Sequence, residues 1–136
     1  MAGITADTPH PVEMKFHQHS ALLEISFSDG STFKLPYEFL RVYSPSAEVR
    51  GHGPGQEVLQ TGKRRVGVAE VSPVGHYAIK IHFSDGHDSG IYSWDCLFDL
   101  GKKHDTLWAQ YLAKLEAAGA SRDIDTTSTP HGGCSK

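Results

Sequence analysis

The sequence is poor in cysteine, in net charge and in long apolar runs, and each shortage removes a class of function. Its 136 residues include two cysteines, Cys96 and Cys134. One lies in a helical pattern and the other in a polar tail, and neither belongs to a Cys-x-x-Cys pair, so a structural disulfide is not expected in a reducing compartment. Thirteen basic against sixteen acidic residues give a net charge of -3, which offers no attraction to a nucleic-acid backbone or an anionic membrane. No apolar run approaches the roughly 20 residues a bilayer crossing needs, and the start, Met1 to Asp7, lacks both the basic and the apolar part of a signal peptide. A cytoplasmic chain with one core follows from length and composition.

What the chain does have is an internal repeat. Glu24 to Pro36 and His82 to Trp94 are laid out around the same Phe-Ser-Asp-Gly, at Phe27-Ser28-Asp29-Gly30 and Phe83-Ser84-Asp85-Gly86. Leu23, Ile25 and Phe27 alternate with Glu24 and Ser26, as a strand with one buried face requires, and Phe33 and Leu35 continue the alternation after the turn. A three-residue loop with glycine at positive φ sets Ile25 opposite Phe33 and Leu23 opposite Leu35. The same rule in the second copy predicts Ile79 opposite Ile91 and Phe83 opposite His87.

Each hairpin leads into a helix start. Pro36 suits the first helical position before Tyr37, and Ser93 is a good N-cap before Trp94. The second helix is expected to break at Gly101 and restart near Asp105 or Thr106, where Leu107, Trp108, Tyr111, Leu112 and Leu115 follow amphipathic spacing and Gly119 supplies a stop. A further strand over Val66 to Val71 feeds the Tyr77 to Phe83 strand. The expected fold class is α+β: an antiparallel sheet built from two related β-hairpin-plus-helix units, with helices packed on one side. Residues 1–11 are expected to be a flexible leader, 12–119 the domain and 120–136 a disordered tail. Residues 43–65, with Gly51-His52-Gly53-Pro54-Gly55 and Lys63-Arg64-Arg65, have the length and composition of a mobile loop.

Nine histidines invite a metal hypothesis, but count is not geometry. His17 and His19 share one face of a strand and fit equally an exposed sheet edge. His76 and His82 lie about 20 Å apart along a strand, too far to share an ion. His87 closes the second hairpin turn beside Asp85, Asp88 and Ser89, where it can be a base or ligand, or cap the turn by bonding the Asp side chains. No Ser-His-Asp or Cys-His set assembles, and the 51–55 glycines lack the strand and Lys-Ser/Thr of a phosphate loop. Lys63-Arg64-Arg65 either holds an acidic partner or solubilises the loop. Cys134 is a tethered thiol beside His131 or an inert tail residue. Trp94, Trp108 and Tyr111 read as core on their spacing, and Cys96 as a small buried filler.

Phe39 to Glu48, Gly67-Val68, Val74 to Ile79 and Phe83 to Trp94 together resemble the gamma-butyrobetaine hydroxylase-like N-terminal domain, over about residues 12–116. The resemblance implies a domain that precedes the catalytic barrel in gamma-butyrobetaine and trimethyllysine hydroxylases, that is attached to a plant iron-sulfur cluster carrier, and that also stands free in bacteria. In the hydroxylases three cysteines and a histidine hold a structural zinc. The matching positions here are Ser44, Ser46, Val49 and His87, so the resemblance implies that the zinc is absent, since a closed tetrahedral site needs four N or S donors. The oxygenase barrel and its iron ligands are absent too. The reading that follows is a non-catalytic accessory domain without cofactors that binds a protein partner through its sheet face and the 43–65 loop. Arg41, His52, Lys63, Arg64, Arg65, Asp85, His87 and Cys134 are its candidate contacts. The alternative is a metal or iron-sulfur cluster handling factor using His87 and/or Cys134.

Overall fold

The computed structural model describes residues 9–46, 49 and 58–123. The elements run β1 (Pro11–His17), β2 (Leu22–Phe27), β3 (Thr32–Pro36), α1 (Tyr37–Val42), β4 (Val68–Val74), β5 (Ala78–Phe83), β6 (Ile91–Ser93), α2 (Trp94–Lys102) and α3 (His104–Ala118). The α+β class is as expected, with all pairings antiparallel, and the strands form two three-stranded sheets, β1-β2-β3 and β4-β5-β6. Each repeat unit is therefore three strands and a helix. The added strand β1 had a signal in the sequence: Met14 and Phe16 alternate with Glu13 and Lys15, and both pack on the core.

The repeat extends to individual hydrogen bonds. Ser28 N–H donates to His10 O at 2.8 Å and Ser84 N–H to Gly67 O at 2.8 Å; Gly30 N–H donates to Phe27 O at 3.0 Å and Gly86 N–H to Phe83 O at 3.0 Å. Gly30 and Gly86 have φ of 93° and 92°, a region that side-chain-bearing residues avoid. Even the irregularity is copied, since β1 slips register between Pro11 and Glu13 and β4 between Val68 and Glu70.

The first hairpin has the expected register, Ile25↔Phe33 and Leu23↔Leu35. The second does not. The turn itself closes as in the first copy, with Phe83 N–H donating to His87 O at 3.0 Å, but Ile79 faces Tyr92 and Lys80 faces Ile91. One extra residue among Asp88-Ser89-Gly90 shifts β6, and a one-residue shift exchanges the two faces. Tyr92 is consequently buried, with its hydroxyl donating to Leu40 O at 2.6 Å, while Ile91 is 49% exposed.

One core joins both sheets to α1 and α2: Leu23, Ile25, Phe27 and Leu35 from the first sheet meet Ile79, Ile81, Phe83 and Tyr92 from the second, with Phe39, Leu40 and Leu97 between. Ser93 caps α2 by accepting from Cys96 N–H at 3.1 Å, and Gly119 ends α3 at φ 64°. Gly101 does not break α2, which runs to Lys102. A Cβ there would lie 2.5 Å from the Phe33 ring, so the glycine lets the helix sit against the Phe27, Phe33 and Phe98 cluster. Tyr111 is buried as expected, Trp94 and Trp108 are half-buried, and Cys96 packs partly buried on the core.

Three expected boundaries need correction. His10 and Pro11 already bond to Ser28 and pair with Phe27, so order begins inside the expected leader. Residues 120–123 are hydrogen-bonded to the domain and are not a disordered tail. The described part of the 43–65 loop is packed, with Ser44, Ser46, Val49, Gln60, Thr61 and Lys63 all buried. In each case the backbone finds partners distant in sequence, which local composition does not reveal.

Tyr37 is fully buried, and its hydroxyl has no hydrogen-bond partner among the described residues. An unpaired buried hydroxyl costs about 1–3 kcal/mol, so Tyr37→Phe is expected to raise stability in urea unfolding by about 1 kcal/mol. A loss of that size would mean the hydroxyl is bonded.

Candidate functional site

Pro36 fixes the entry to α1, where Tyr37 N–H donates to Ala21 O at 2.9 Å. The six-residue helix is buried on all sides, so its polar residues must find partners inside the protein. Glu38 and Arg41, one turn apart, do so in different directions. Arg41 Nε donates to Asp85 Oδ2 at 2.9 Å and Nη1 to Gln60 Oε1 at 2.9 Å. Lys63 Nζ reaches the same Asp85 oxygen at 3.0 Å. Three residues chosen separately from the sequence thus form one ion cluster, with the Arg41 and Lys63 side chains only 8% and 7% exposed.

The two hairpin turns explain how this arises. Asp29 Oδ1 accepts from Ser31 N–H at 3.0 Å, and Asp85 Oδ1 accepts from His87 N–H at 3.2 Å, the same side-chain turn in each copy. The second oxygen differs. In the first copy it meets, among the described residues, the Ser31 hydroxyl at 3.1 Å, whereas in the second it receives two buried cations. Burial would raise the Asp85 carboxyl, but the hydrogen bond from Lys63 and the charge of Arg41 leave it below its ordinary value.

Next to this cluster lie the positions that the resemblance marks for zinc. His87 Nε2 and Ser44 Oγ are 2.9 Å apart, Ser46 N–H donates to Ser44 Oγ at 3.2 Å, and Ser46 Oγ meets Ser89 Oγ at 2.6 Å. Val49 N–H donates to Ser46 O at 3.0 Å. A Cβ on Gly90 would come within 2.3 Å of Ser44 Oγ, so the glycine lets the second hairpin close on this loop. The imidazole reaches Ser44 rather than the Asp side chains of its own turn, which corrects the capping expectation; Asp85 instead bonds the His87 backbone. As a zinc cage the set does not fit, since one imidazole, two hydroxyls already engaged with His87 and Ser89 and one aliphatic chain cannot supply four N or S donors. Among the described residues no three His, Cys, Asp or Glu side chains gather closely enough to hold a metal.

The other candidates are dispersed. Arg64 pairs with Asp123 at the surface, and Arg65 is exposed. Lys63 is buried rather than solvated. His17 meets Glu24 at 3.0 Å, and His82 lies 3.2 Å from Ser72 Oγ. His52 and Cys134 lie outside the described residues.

Sequence reasoning missed an apolar cleft of about 420 Å³ between the end of α1, the 58–60 segment, α2 and α3. Val42, Tyr43, Leu59, Leu100, Leu107 and Tyr111 line it, with Asp99 and Lys114 alongside. Its frame is held by two tyrosines: Tyr43 donates to Leu107 O at 2.7 Å and Tyr111 to Gln60 O at 2.7 Å. Burial, with the Glu38 charge nearby, pushes the Tyr111 hydroxyl up to about 12, so it remains a donor at any physiological pH. Tyr111 was legible as a helix-spaced aromatic, but Tyr43 fell in the expected loop, and the cleft needs four separate elements and leaves no local pattern.

Comparison with known proteins follows this geometry closely. The family model "Gamma-butyrobetaine hydroxylase-like, N-terminal" matches residues 14–98. Two proteins solved by NMR are similar, each with a TM-score of 0.73: one is 50% identical, with 85% of this chain and 90% of the other covered, and the second is 52% identical, with 88% and 91% covered. A crystal structure from Acidithiobacillus ferrooxidans, described as a protein with unknown function of the DUF971 family, is 41% identical over 68% of this chain and 92% of its own, with a TM-score of 0.56. No curated protein matches. No described helix is long and apolar enough to cross a membrane.

Proposed function

The chain belongs to the gamma-butyrobetaine hydroxylase-like N-terminal family, and we propose that it acts as a non-catalytic accessory domain that binds a protein partner, without a resident metal or cofactor. One observation carries this reading. Arg41, Lys63, Asp85 and His87, the strongest chemical candidates, are engaged with other residues of the chain, while the cleft beside them presents apolar side chains. Concave apolar surface with a few fixed polar groups suits a partner's inserted side chain. The iron-sulfur alternative draws no support from the described residues, because the His87 imidazole is bonded to Ser44 and Cys134 is not among them.

Photo-cross-linking tests the proposal. A photoreactive residue at Lys114, beside the cleft, is expected to give a discrete adduct with one protein in the native cell, and the same group at Glu70, on β4, none. Leu59→Trp, which fills the cleft, should abolish the adduct without moving the thermal midpoint. No adduct from Lys114, or an equal one from Glu70, would count against the cleft as the binding surface.

A further inference from the structure

Glu38, in the first turn of α1, is only 6% exposed, and its carboxylate is satisfied from the far end of the chain. Arg122 approaches with both arms of its guanidinium, Nε to Oε2 at 2.8 Å and Nη2 to Oε1 at 2.6 Å. The plane of the same group lies over the Trp108 ring, 5.2 Å from its centroid. The main chain is held as well, with Gly62 N–H donating to Ser121 O and Arg64 N–H to Arg122 O, each at 3.0 Å. Hydrogen bonding to Glu38 holds the Arg122 guanidinium above its ordinary range.

These features make a seat specific for arginine. A forked carboxylate, an aromatic face and two main-chain donors select a planar guanidinium beside two successive main-chain carbonyls, and lysine cannot reproduce the fork. The seat also demands an occupant, because a buried carboxylate without its cation costs several kcal/mol. The present occupant is attached by a short strap after Gly119, in which Ala120 packs on Tyr111 and Leu115 and Asp123 pairs with Arg64 at the surface. Another guanidinium can replace it bond for bond. We propose that the groove formed by Glu38, Trp108 and the 62–64 backbone is a binding site for an arginine-bearing peptide, occupied in the resting chain by its own residues 121–123.

A tethered occupant competes at an effective concentration in the millimolar range, so a free peptide must bind the intact chain weakly and a chain with a weakened strap better. The probe is an acetylated peptide of residues 120–123, titrated calorimetrically against full-length protein. Binding to Arg122→Ala is expected to be at least tenfold tighter than to the unaltered chain, and to drop at least tenfold when the peptide's arginine is replaced by lysine. Should Arg122→Ala unfold, Arg122→Lys keeps a cation beside Glu38 and should still bind the arginine peptide more tightly than the unaltered chain, with a rise in thermal midpoint. Equal affinity for altered and unaltered chains, or for arginine and lysine peptides, or no binding to a folded Arg122→Lys chain, overturns the proposal. The cross-link at Lys114 succeeds or fails independently of all three.

Discussion

Asp85→Ala is expected to cost about 1.5–3 kcal/mol in urea unfolding, the scale of a hydrogen bond to a charged group, since the Asp85 carboxylate is itself partly open to solvent. Here two cations, Arg41 and Lys63, lose the oxygen that both contact, in a domain whose total stability is on the order of 5–15 kcal/mol. The repeat supplies an internal control. Asp29 occupies the same turn position with the same bond to the backbone two residues on, but meets no cation at its second oxygen, so Asp29→Ala should shift the midpoint far less. The effect also has a pH signature. The Asp85 carboxyl titrates lower in the folded chain than in the unfolded one, so its contribution is complete above the unfolded value of about 3.9 and fades as pH falls from there through the folded value. Asp85→Asn should accordingly show a shallower loss of stability below about pH 4 than the unaltered chain. Equal costs for the two aspartates would show that the buried cluster contributes nothing the exposed turn lacks.

The second large effect is a gain. Ser44→Cys, Ser46→Cys and Val49→Cys together are expected to create a chain that takes up one zinc, with His87 as the fourth donor. The resemblance supplies the positions, and the structure links all four residues through side-chain or backbone hydrogen bonds. Three thiolates and an imidazole complete a tetrahedral set, and such sites bind with apparent free energies on the order of 10 kcal/mol. Native mass spectrometry should therefore find one zinc per chain, and a chelator should lower the thermal midpoint of the triple variant by several degrees or more. A triple variant that folds but ignores zinc would mean that these positions do not correspond to the hydroxylase cage.

Much of the fold was legible because it is written locally. Alternation through Leu23, Ile25 and Phe27, with an Asp-Gly turn, set the first register correctly, and Ser93 and Gly119 marked helix ends by their own chemistry. The second register failed where alternation stops, at Asp88-Ser89-Gly90, and a single added residue was enough to exchange Tyr92 and Ile91. The mutual contacts of the candidate residues were not legible. Asp85, Arg41, Lys63 and His87 were singled out as contacts for a partner, yet they meet Gln60, Ser44 and one another across 19 to 44 residues of sequence. Polar composition made residues 58–65 look solvated, although long-range ion pairing buries Lys63. Nothing near Arg122 announces its bond to Glu38, 84 residues away.

Ser44, Ser46, Val49 and His87 form a hydrogen-bonded latch that joins the second hairpin to the loop after α1, at the positions that the sequence resemblance marks for zinc. The most direct test is the metal content of the unaltered chain, purified without chelator and weighed intact under native conditions. The account predicts far less than one zinc per chain and a thermal midpoint that a chelator does not move. A stoichiometric zinc that disappears in His87→Ala, with a midpoint that falls on chelation, would contradict it.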